Sequence, residues 1–287
     1  MINVNNLLDL LVLEKINETE FIGISKSVGS PSVFGGQVLA QAINAASRTI
    51  TNQRVLHSMH SYFLEAGNLH IPITYNVNIV RDGGSFSVRR VTAHQNETTI
   101  FILSASFHKK ESGYNHQMKM KDDMKQPEEL LSWTDMYNQF GDFLPKHVKS
   151  FLEIERPVEF KPTEIVNPLD RKDLPPFSDV WFKLKGDVGD LDLATKQHIL
   201  TYISDYNILV SALNPHASKA HWGNTQTASL DHSMWYFRDF DFNDWLLFSM
   251  ESPNASNARG FARGNIYTRE GILVASVAQE GLIRPKN

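Results

Sequence analysis

The amino-acid sequence predicts an α+β fold in which one unit, a long helix wrapped by an antiparallel sheet, occurs twice. Segments of the two halves match at offsets that differ by only a few residues. The matched segments are His57–Met59 with His232–Met234, Phe34–Asn44 with Ser204–Asn214, and Thr99–Ser106 with Ile272–Gln279. In each half a helical pattern precedes strands joined by tight turns, which is typical of a sheet curved around one helix. Two such sheets would pair edge to edge and bury edges that each would otherwise expose.

The first half begins with a predicted helix and a weak strand. The apolar residues Leu7, Leu8, Leu11 and Ile16 have helical spacing, and Asn6 is the expected N-cap. A short strand is expected over Phe21–Ser27. Gly35 and Gly36 then open a strongly apolar helix that runs to Ala46, and its wide apolar stripe predicts burial on most sides.

Four strands complete the first half. Alternation of apolar and polar residues predicts a half-buried strand over Ile71–Arg81, and Asp82-Gly83-Gly84 is a hairpin turn signal. The remaining strands are expected at Arg54–Leu64, Phe86–His94 and Thr99–Lys109.

The second half repeats this pattern, with a helix predicted over Leu193–Leu213. Its strands are expected at Ala228–Phe237, Trp245–Glu251, Ala258–Thr268 and Ile272–Ile283. The stretch Glu111–Lys161 is rich in charged residues and prolines, so we interpret it as a surface connection with a short helix near Glu128–Phe143. The predicted domains are residues 1–112, a connection over 113–156, and residues 157–287, which carry the catalytic residues.

Composition excludes several classes of function. The chain has 287 residues, 41% hydrophobic and 21% charged, as in an ordinary globular protein. A net charge of −4 gives no basic field for nucleic acid. The absence of cysteine excludes disulfides, a thiolate nucleophile and cysteine-ligated metal. No segment has the pattern of a secretory signal or a membrane span, so we expect a cytoplasmic protein.

Several segments together resemble the acyl-CoA thioesterase II family. They include FGGQVLAQA, HSMHSYFLEAG, RDGGSFSVRRVTA, SDYNILVSALNPH, ASLDHSMWYFR, ARGFARG and GILVASVAQEG, in order over nearly the whole chain. The resemblance implies a double hotdog fold and hydrolysis of medium- to long-chain fatty acyl-CoA to free acid and coenzyme A. It also implies self-association into a homodimer or homotetramer, and no cofactor.

The resemblance further implies three catalytic residues that hold the attacking water, namely Asp205, Ser229 and Gln279. Many family members have Thr at the middle position, so Ser229 keeps the hydroxyl but loses the methyl that restricts its rotamer. Under the matches above, Asp205 corresponds to Gly35, Ser229 to Arg54 and Gln279 to Ser106, so only the second half carries the set.

The chemistry of these side chains suits water-mediated hydrolysis. A carboxylate can act as general base, while a hydroxyl and an amide both donate and accept hydrogen bonds. The start of the helix at Gly35 and Gly36 offers free N–H groups to the thioester oxygen. Read alone, each residue also has an ordinary explanation: Asp205 as a helix N-cap, Ser229 and Gln279 as common strand residues.

Further substrate contacts are predicted at His57, Arg81 and Arg89. The two arginines flank the Asp82-Gly83-Gly84 turn and can suit coenzyme A phosphates, although a solvated hairpin explains them equally well. His57 or His60 can be catalytic, but the recurrence of His232 in the second half favours a structural role. The histidines lack metal-ligand spacing, so no metal is predicted.

Two alternative functions remain open from the sequence. A hydratase or dehydratase of acyl-CoA needs a histidine paired with a carboxylate, and no such partner is evident. A non-catalytic acyl-CoA-binding protein would not need the polar set to be retained. The absence of a GxSxG motif argues against an α/β-hydrolase mechanism.

Overall fold

The computed structural model describes residues 2–51, 53–166, 169–221 and 223–286. Across these ranges the strands join into one antiparallel sheet of 13 strands. The sequence predicts two sheets that pair edge to edge, and in the structure this pairing joins them into a single continuous sheet. No helix within the described ranges is both long enough and apolar enough to cross a membrane.

The described part of the first half contains two helices and six strands. They are α1 (Val4–Leu11), β1 (Glu14–Lys15), β2 (Glu20–Gly23), α2 (Gly35–Ser47), β3 (Arg54–Phe63), β4 (Ile73–Asp82), β5 (Phe86–Gln95) and β6 (Thr98–Lys109). The predicted cap of α1 is wrong: Asn3 is the N-cap, and Asn6 accepts from the Asn3 N–H at 3.0 Å to complete a capping box. Ile16 lies beyond the end of the helix.

The connecting segment is more ordered than the sequence indicates. A 3₁₀ turn (Pro127–Glu129) and α3 (Trp133–Phe140) occupy the predicted helical region, and Ser132 caps α3 by accepting from the Asp135 N–H. A second helix, α4 (Lys146–Glu153), and strand β7 (Val158–Pro162) follow it and were not predicted.

The second half differs from its prediction in three places. Its elements are β8 (Phe177–Leu184), α5 (Leu193–Ser204), α6 (Val210–Leu213), a 3₁₀ turn (Asn214–His216), β9 (Thr225–Ser229), β10 (Asp231–Tyr236), β11 (Leu246–Ser256), β12 (Arg259–Thr268) and β13 (Leu273–Pro285). The long predicted helix is broken after Ser204, and the predicted strand over Ala228–Phe237 is divided at Leu230. Strand β8 was not predicted.

The strand order reveals the internal repeat. The sheet runs β1-β2-β4-β5-β6-β3-β10-β13-β12-β11-β8-β7, with β9 also paired to β13. The five strands β2-β4-β5-β6-β3 and the five strands β8-β11-β12-β13-β10 thus have the same connectivity, related across the β3–β10 junction. Met59 pairs with Met234 at this junction, and both side chains are fully buried.

The central helices α2 and α5 pack against each other in antiparallel orientation. Gly36, at the start of α2, lies against the Tyr202 carbonyl near the end of α5. At the other end of α2, Ser47 Oγ lies 3.2 Å from His198 Nε2. A Cβ atom at Gly36 would lie 2.3 Å from the Tyr202 carbonyl oxygen, so only glycine permits this close approach.

We expect Met59→Ala to lower the free energy of unfolding by about 2–5 kcal/mol, because it leaves a cavity at the junction of the two halves. Urea denaturation measures the change. Met118→Ala is the control, since Met118 is 69% exposed and its substitution should cost less than about 0.5 kcal/mol. Equal denaturation midpoints for wild type and Met59→Ala would show that this junction does not depend on the methionine pair.

Candidate active site

The three predicted catalytic residues meet where α5, β9 and β13 come together. Asp205 directly follows the last residue of α5, Ser229 ends β9, and Gln279 lies in β13. Ser229 is the register partner of Gly281 in β13, which places it beside Gln279. The structure therefore brings together residues that are far apart in the sequence.

Hydrogen bonds link the three side chains in a row. Ser229 Oγ donates to Asp205 Oδ1 at 3.1 Å, and Gln279 Nε2 donates to Ser229 Oγ at 2.9 Å. Gln279 is only 1% exposed, whereas Asp205 and Ser229 retain partial exposure. Their polar ends can thus meet a small molecule from one side while the amide stays fixed within the protein.

Asp205 reaches this position from a helix end, and the expected correspondence with Gly35 is wrong. Residues 204–214 form a helix terminus, a loop and the short α6, so they do not match the continuous helix α2. Asp205 does not cap α6 either, because the N-cap of α6 is Leu209. Instead Asp205 Oδ2 accepts from the Gly36 N–H of α2 at 2.9 Å.

This contact changes the prediction for the start of α2. The Gly36 N–H is already bonded to Asp205, so it is not a free donor for a substrate oxygen. The Gly35 N–H has no hydrogen-bond partner in the protein within the described ranges. A Cβ atom at Gly35 would lie 2.6 Å from Asp205 Oδ2, so glycine is needed there for the carboxylate to approach.

The environment of Asp205 shifts its titration. Burial raises the pKa of its carboxyl to about 6, and the hydrogen bonds from Ser229, Gln279 and the Gly36 N–H limit that rise because they favour the charged form. The positive end of the α2 dipole acts in the same direction as these bonds. A carboxylate with a pKa near neutrality is suited to take up a proton.

His232 is a functional candidate that the sequence reasoning assigned to architecture. Its Nδ1 is hydrogen-bonded to Gln279 Oε1, and Ser204 Oγ lies 3.0 Å from its Nε2. Burial lowers the pKa of His232 to about 4, so the ring is neutral near pH 7. A neutral ring that donates from Nδ1 holds the Gln279 carbonyl and thereby directs the amide nitrogen towards Ser229. The His-Ser-Met tripeptide, which occurs in both halves, was the sequence signal that could have identified His232 as a candidate.

A groove of about 600 Å³ opens over these groups. The first half contributes Gly35, Phe63 and Phe101 to its lining, and the second half contributes Leu209 in addition to the polar residues. Its walls are thus mainly apolar with a few converging polar groups, which is usual for a small-molecule site.

His57 does not line this groove. Its Nε2 lies 2.8 Å from Ser106 Oγ, and its ring is 5.6 Å from that of Phe86. His57 lies at an irregularity of the β3–β6 register, between Leu56 and Ser58. With Met59 opposite Met234, the registers make Phe107 the counterpart of Gln279, so the expected correspondence of Gln279 with Ser106 is wrong. Burial, and then the neighbouring His108, lower the pKa of His57. The predicted substrate contact of His57 has no support in this position.

The two arginines have different surroundings, and neither lines the groove. Arg89, 1% exposed, donates to Asp82 at 2.9 Å and to Thr49 Oγ1 at 2.8 Å, so its expected contact with a phosphate is wrong. A guanidinium in this position stabilises the β4–β5 hairpin. Arg81 is exposed on the same hairpin, and its role stays a prediction.

Comparison with known sequences identifies consistent relatives. A family model described as acyl-CoA thioesterase matches residues 148–282, and another described as acyl-CoA thioesterase N-terminal domain matches residues 25–108. The chain is 40% identical over 280 residues to acyl-CoA thioesterase 2 of Haemophilus influenzae, covering 98% of this chain and 97% of the relative. It is 36% identical to human acyl-coenzyme A thioesterase 8, covering 96% and 88%.

Solved structures agree with this result. An acyl-CoA thioesterase II from Mycobacterium marinum is 31% identical, with a TM-score of 0.78 and coverage of 97% of this chain and 98% of that one. A hotdog-fold protein from Alicyclobacillus acidocaldarius is 15% identical, with a TM-score of 0.76 and coverage of 97% and 98%. The second likeness concerns the fold alone.

We expect Asp205→Asn to be more stable than the wild type at about pH 8, by up to about 3 kcal/mol. The pKa of Asp205 rises from 3.8 to about 6 on folding, so the folded state binds the proton more tightly. Tighter proton binding therefore stabilises the folded wild type at low pH, and this contribution is lost as the pH rises from 3.8 to about 6. The neutral amide of Asp205→Asn has no such loss.

Urea denaturation at about pH 4 and pH 8 measures the difference. The exposed Asp122 provides the control, and Asp122→Asn should change stability by less than about 0.5 kcal/mol at either pH. If Asp205→Asn is less stable than the wild type at both pH values, the desolvation of the carboxylate is not the dominant effect.

Proposed function

Because the chain belongs to the acyl-CoA thioesterase family and is an acyl-CoA thioester hydrolase, we propose that it cleaves medium- to long-chain fatty acyl-CoA with a water held by Asp205, Ser229 and Gln279. The products are a free fatty acid and coenzyme A. The observation that carries this proposal is the row of hydrogen bonds from Gln279 through Ser229 to the desolvated carboxylate of Asp205.

Asp205 acts as the general base in this mechanism. Above its pKa of about 6 the carboxylate is charged and can accept a proton from water as the oxygen attacks the thioester carbon. Ser229 and Gln279 orient that water, because a hydroxyl and an amide can each accept or donate. Attack by water releases the thiol directly, so no acyl-enzyme is required.

The carbonyl oxygen becomes negative during the attack and needs a donor. We assign this role to the Gly35 N–H, at the first turn of α2 and on the wall of the groove. The helix dipole favours negative charge there. A donor of this kind typically contributes about 2.7–4 kcal/mol to transition-state stabilisation. The Gly36 N–H instead holds Asp205 in place.

His232 is a positioning residue for Gln279. Without the ring, the buried amide can rotate and present its oxygen to Ser229, which would reverse the direction of the hydrogen bonds. The contact His232 Nδ1 to Gln279 Oε1 supports this role. His232 does not reach the groove and takes no proton in the mechanism.

We also propose a double hotdog arrangement, with units at 1–112 and 157–287 joined by 113–156. The identical strand order on both sides of the β3–β10 junction supports it. Met1 and Asn287, at the outer limits of these units, lie outside the described residues. A homodimer or homotetramer and a cytoplasmic location remain predictions of the family resemblance and the sequence.

The hydratase alternative has little support from the described side chains. It requires a histidine paired with an acid near the substrate, yet His57 contacts Ser106, His60 contacts Ser233, and His232 contacts Gln279. Membership of a thioester hydrolase family argues against the non-catalytic acyl-CoA-binding alternative.

We expect Asp205→Ala to lower kcat by about 10²–10⁴-fold while acyl-CoA binding is retained, because the general base is lost but the groove is not. In the wild type, kcat should fall as the pH decreases through about 6, where the carboxylate becomes protonated. Thiol release measured with a chromogenic reagent gives both results, and calorimetry with a non-hydrolysable thioether analogue gives binding. Asp122→Ala serves as the control.

Unchanged thiol release by Asp205→Ala would refute the assignment of the base. A wild-type protein that binds the analogue but releases no thiol would support the non-catalytic alternative.

We expect Ser229→Ala to lower kcat by about 10–100-fold, since the Gln279 amide and the Asp205 carboxylate lose their shared partner. Ser229→Thr should retain activity, because it keeps the hydroxyl and adds a methyl that restricts the rotamer. The same thiol assay compares them. Similar activity in the wild type and Ser229→Ala would exclude the hydroxyl from the mechanism.

A further inference from the structure

A second hollow, of about 750 Å³, lies between the connecting helices and the second half of the sheet. We call it the linker chamber. Helices α3 and α4 form one wall with Met136, Phe140 and Phe151, and the opposite wall includes Ile165 and Val180. Apolar side chains make up most of its lining, which suits an aliphatic ligand.

The linker chamber adjoins the groove of the candidate active site. Phe151 and Asn207 line both hollows. Asn207 follows Asp205 by two residues and has a φ of 66°, a left-handed conformation that asparagine tolerates and that turns the chain between the two spaces. The boundary between the hollows is therefore close to the proposed general base.

Phe151 is fixed at this boundary by its neighbours. Its ring contacts that of Trp133 at 4.9 Å, and the Arg156 guanidinium lies 4.5 Å from its centre. Arg156 also donates to the Phe151 carbonyl at 2.9 Å and thereby closes the end of α4. Arg156 is 5% exposed and has no carboxylate partner in the part of the chain that the structure describes.

Several apolar side chains of the chamber are exposed to solvent. Phe140 is 46% exposed, Phe143 is 79% exposed and Ile165 is 53% exposed. Such a cluster normally marks a binding surface. The acyl chain of an acyl-CoA is an apolar chain attached to the reacting carbon, so a hollow that adjoins the catalytic groove is in position to cover it.

We propose that the linker chamber binds the acyl chain of the substrate, with Phe151 at the passage, so that the connecting segment sets the chain-length preference. This inference rests on the proposed function of Asp205, Ser229 and Gln279. Each buried methylene strengthens binding by about fourfold. Long acyl chains therefore depend on the chamber, whereas short ones end before it.

The test places a charge on each wall of the chamber in the full-length chain. We expect Phe140→Asp and Ile165→Asp to lower kcat/KM for palmitoyl-CoA by at least about tenfold, because a charge in an apolar hollow opposes entry of the chain. For butyryl-CoA both variants should stay within about twofold of the wild type. Both positions are exposed, so the fold should tolerate them, and thermal unfolding of each variant verifies this.

Phe237→Asp is the matched control, because Phe237 is 48% exposed and does not line the chamber. It should leave the palmitoyl-to-butyryl ratio unchanged. Equal losses for both substrates in either chamber variant, or no loss for palmitoyl-CoA, would overturn the inference. A chamber variant whose apparent mass on size-exclusion chromatography changes, while its palmitoyl-to-butyryl ratio does not, would also overturn the inference. That result would indicate that a second copy of the chain covers this surface.

The proposed function and this inference fail in different ways. If the wild type releases no thiol from any acyl-CoA, the proposed function is wrong, and the inference that rests on it falls too. If the wild type releases thiol but the chamber variants do not change chain-length preference, only the location of the acyl chain is wrong.

Discussion

The close antiparallel contact of α2 and α5 is the constraint on which the site depends. Two glycines at the start of α2 allow the end of α5 to approach so closely that Asp205 bonds to a backbone N–H of the other helix. This contact brings a carboxylate from the second half to a helix N-terminus of the first half. Neither half alone contains both groups, so both halves are needed to assemble the site.

The duplication also explains why only one half carries the polar set. With Met59 opposite Met234 at the junction, the strand registers place Phe107 in the first half where Gln279 lies in the second. Phe107 is a buried apolar side chain that neither donates nor accepts side-chain hydrogen bonds, so the first half cannot form the row that Gln279 continues in the second. The His-Ser-Met repeat therefore marks equivalent strands, and the residue on the neighbouring strand determines whether the polar set can form.

The site illustrates a conflict between stability and activity. Burial of Asp205 raises its pKa towards neutrality, which suits a general base but makes the charged form unfavourable in the folded protein. Hydrogen bonds from neutral donors reduce this cost, and within the described residues no cationic side chain pairs with Asp205 to lower its pKa further. The proposed base is thus held by dipoles, and its basicity is preserved.

The sequence by itself determined the architecture of each half, because period-two alternation and turn residues such as Asp82-Gly83-Gly84 act locally. It also supplied Asp205, Ser229 and Gln279 through the family resemblance, whereas the internal repeat aligned Asp205 with Gly35 and Gln279 with Ser106 incorrectly. Local sequence patterns do not predict contacts between residues that are far apart in the chain, however. The helix break after Ser204, the burial of Arg89 against Asp82 and the order of the connecting segment arise from packing between elements.

Only the tertiary structure decided which groups share the site. It showed that Asp205 approaches from a helix end and bonds to Gly36, that His232 holds Gln279, and that His57 faces elsewhere. The physical reason is that residue order fixes chemical identity and local periodicity, whereas the distance between two helices depends on every side chain packed around them.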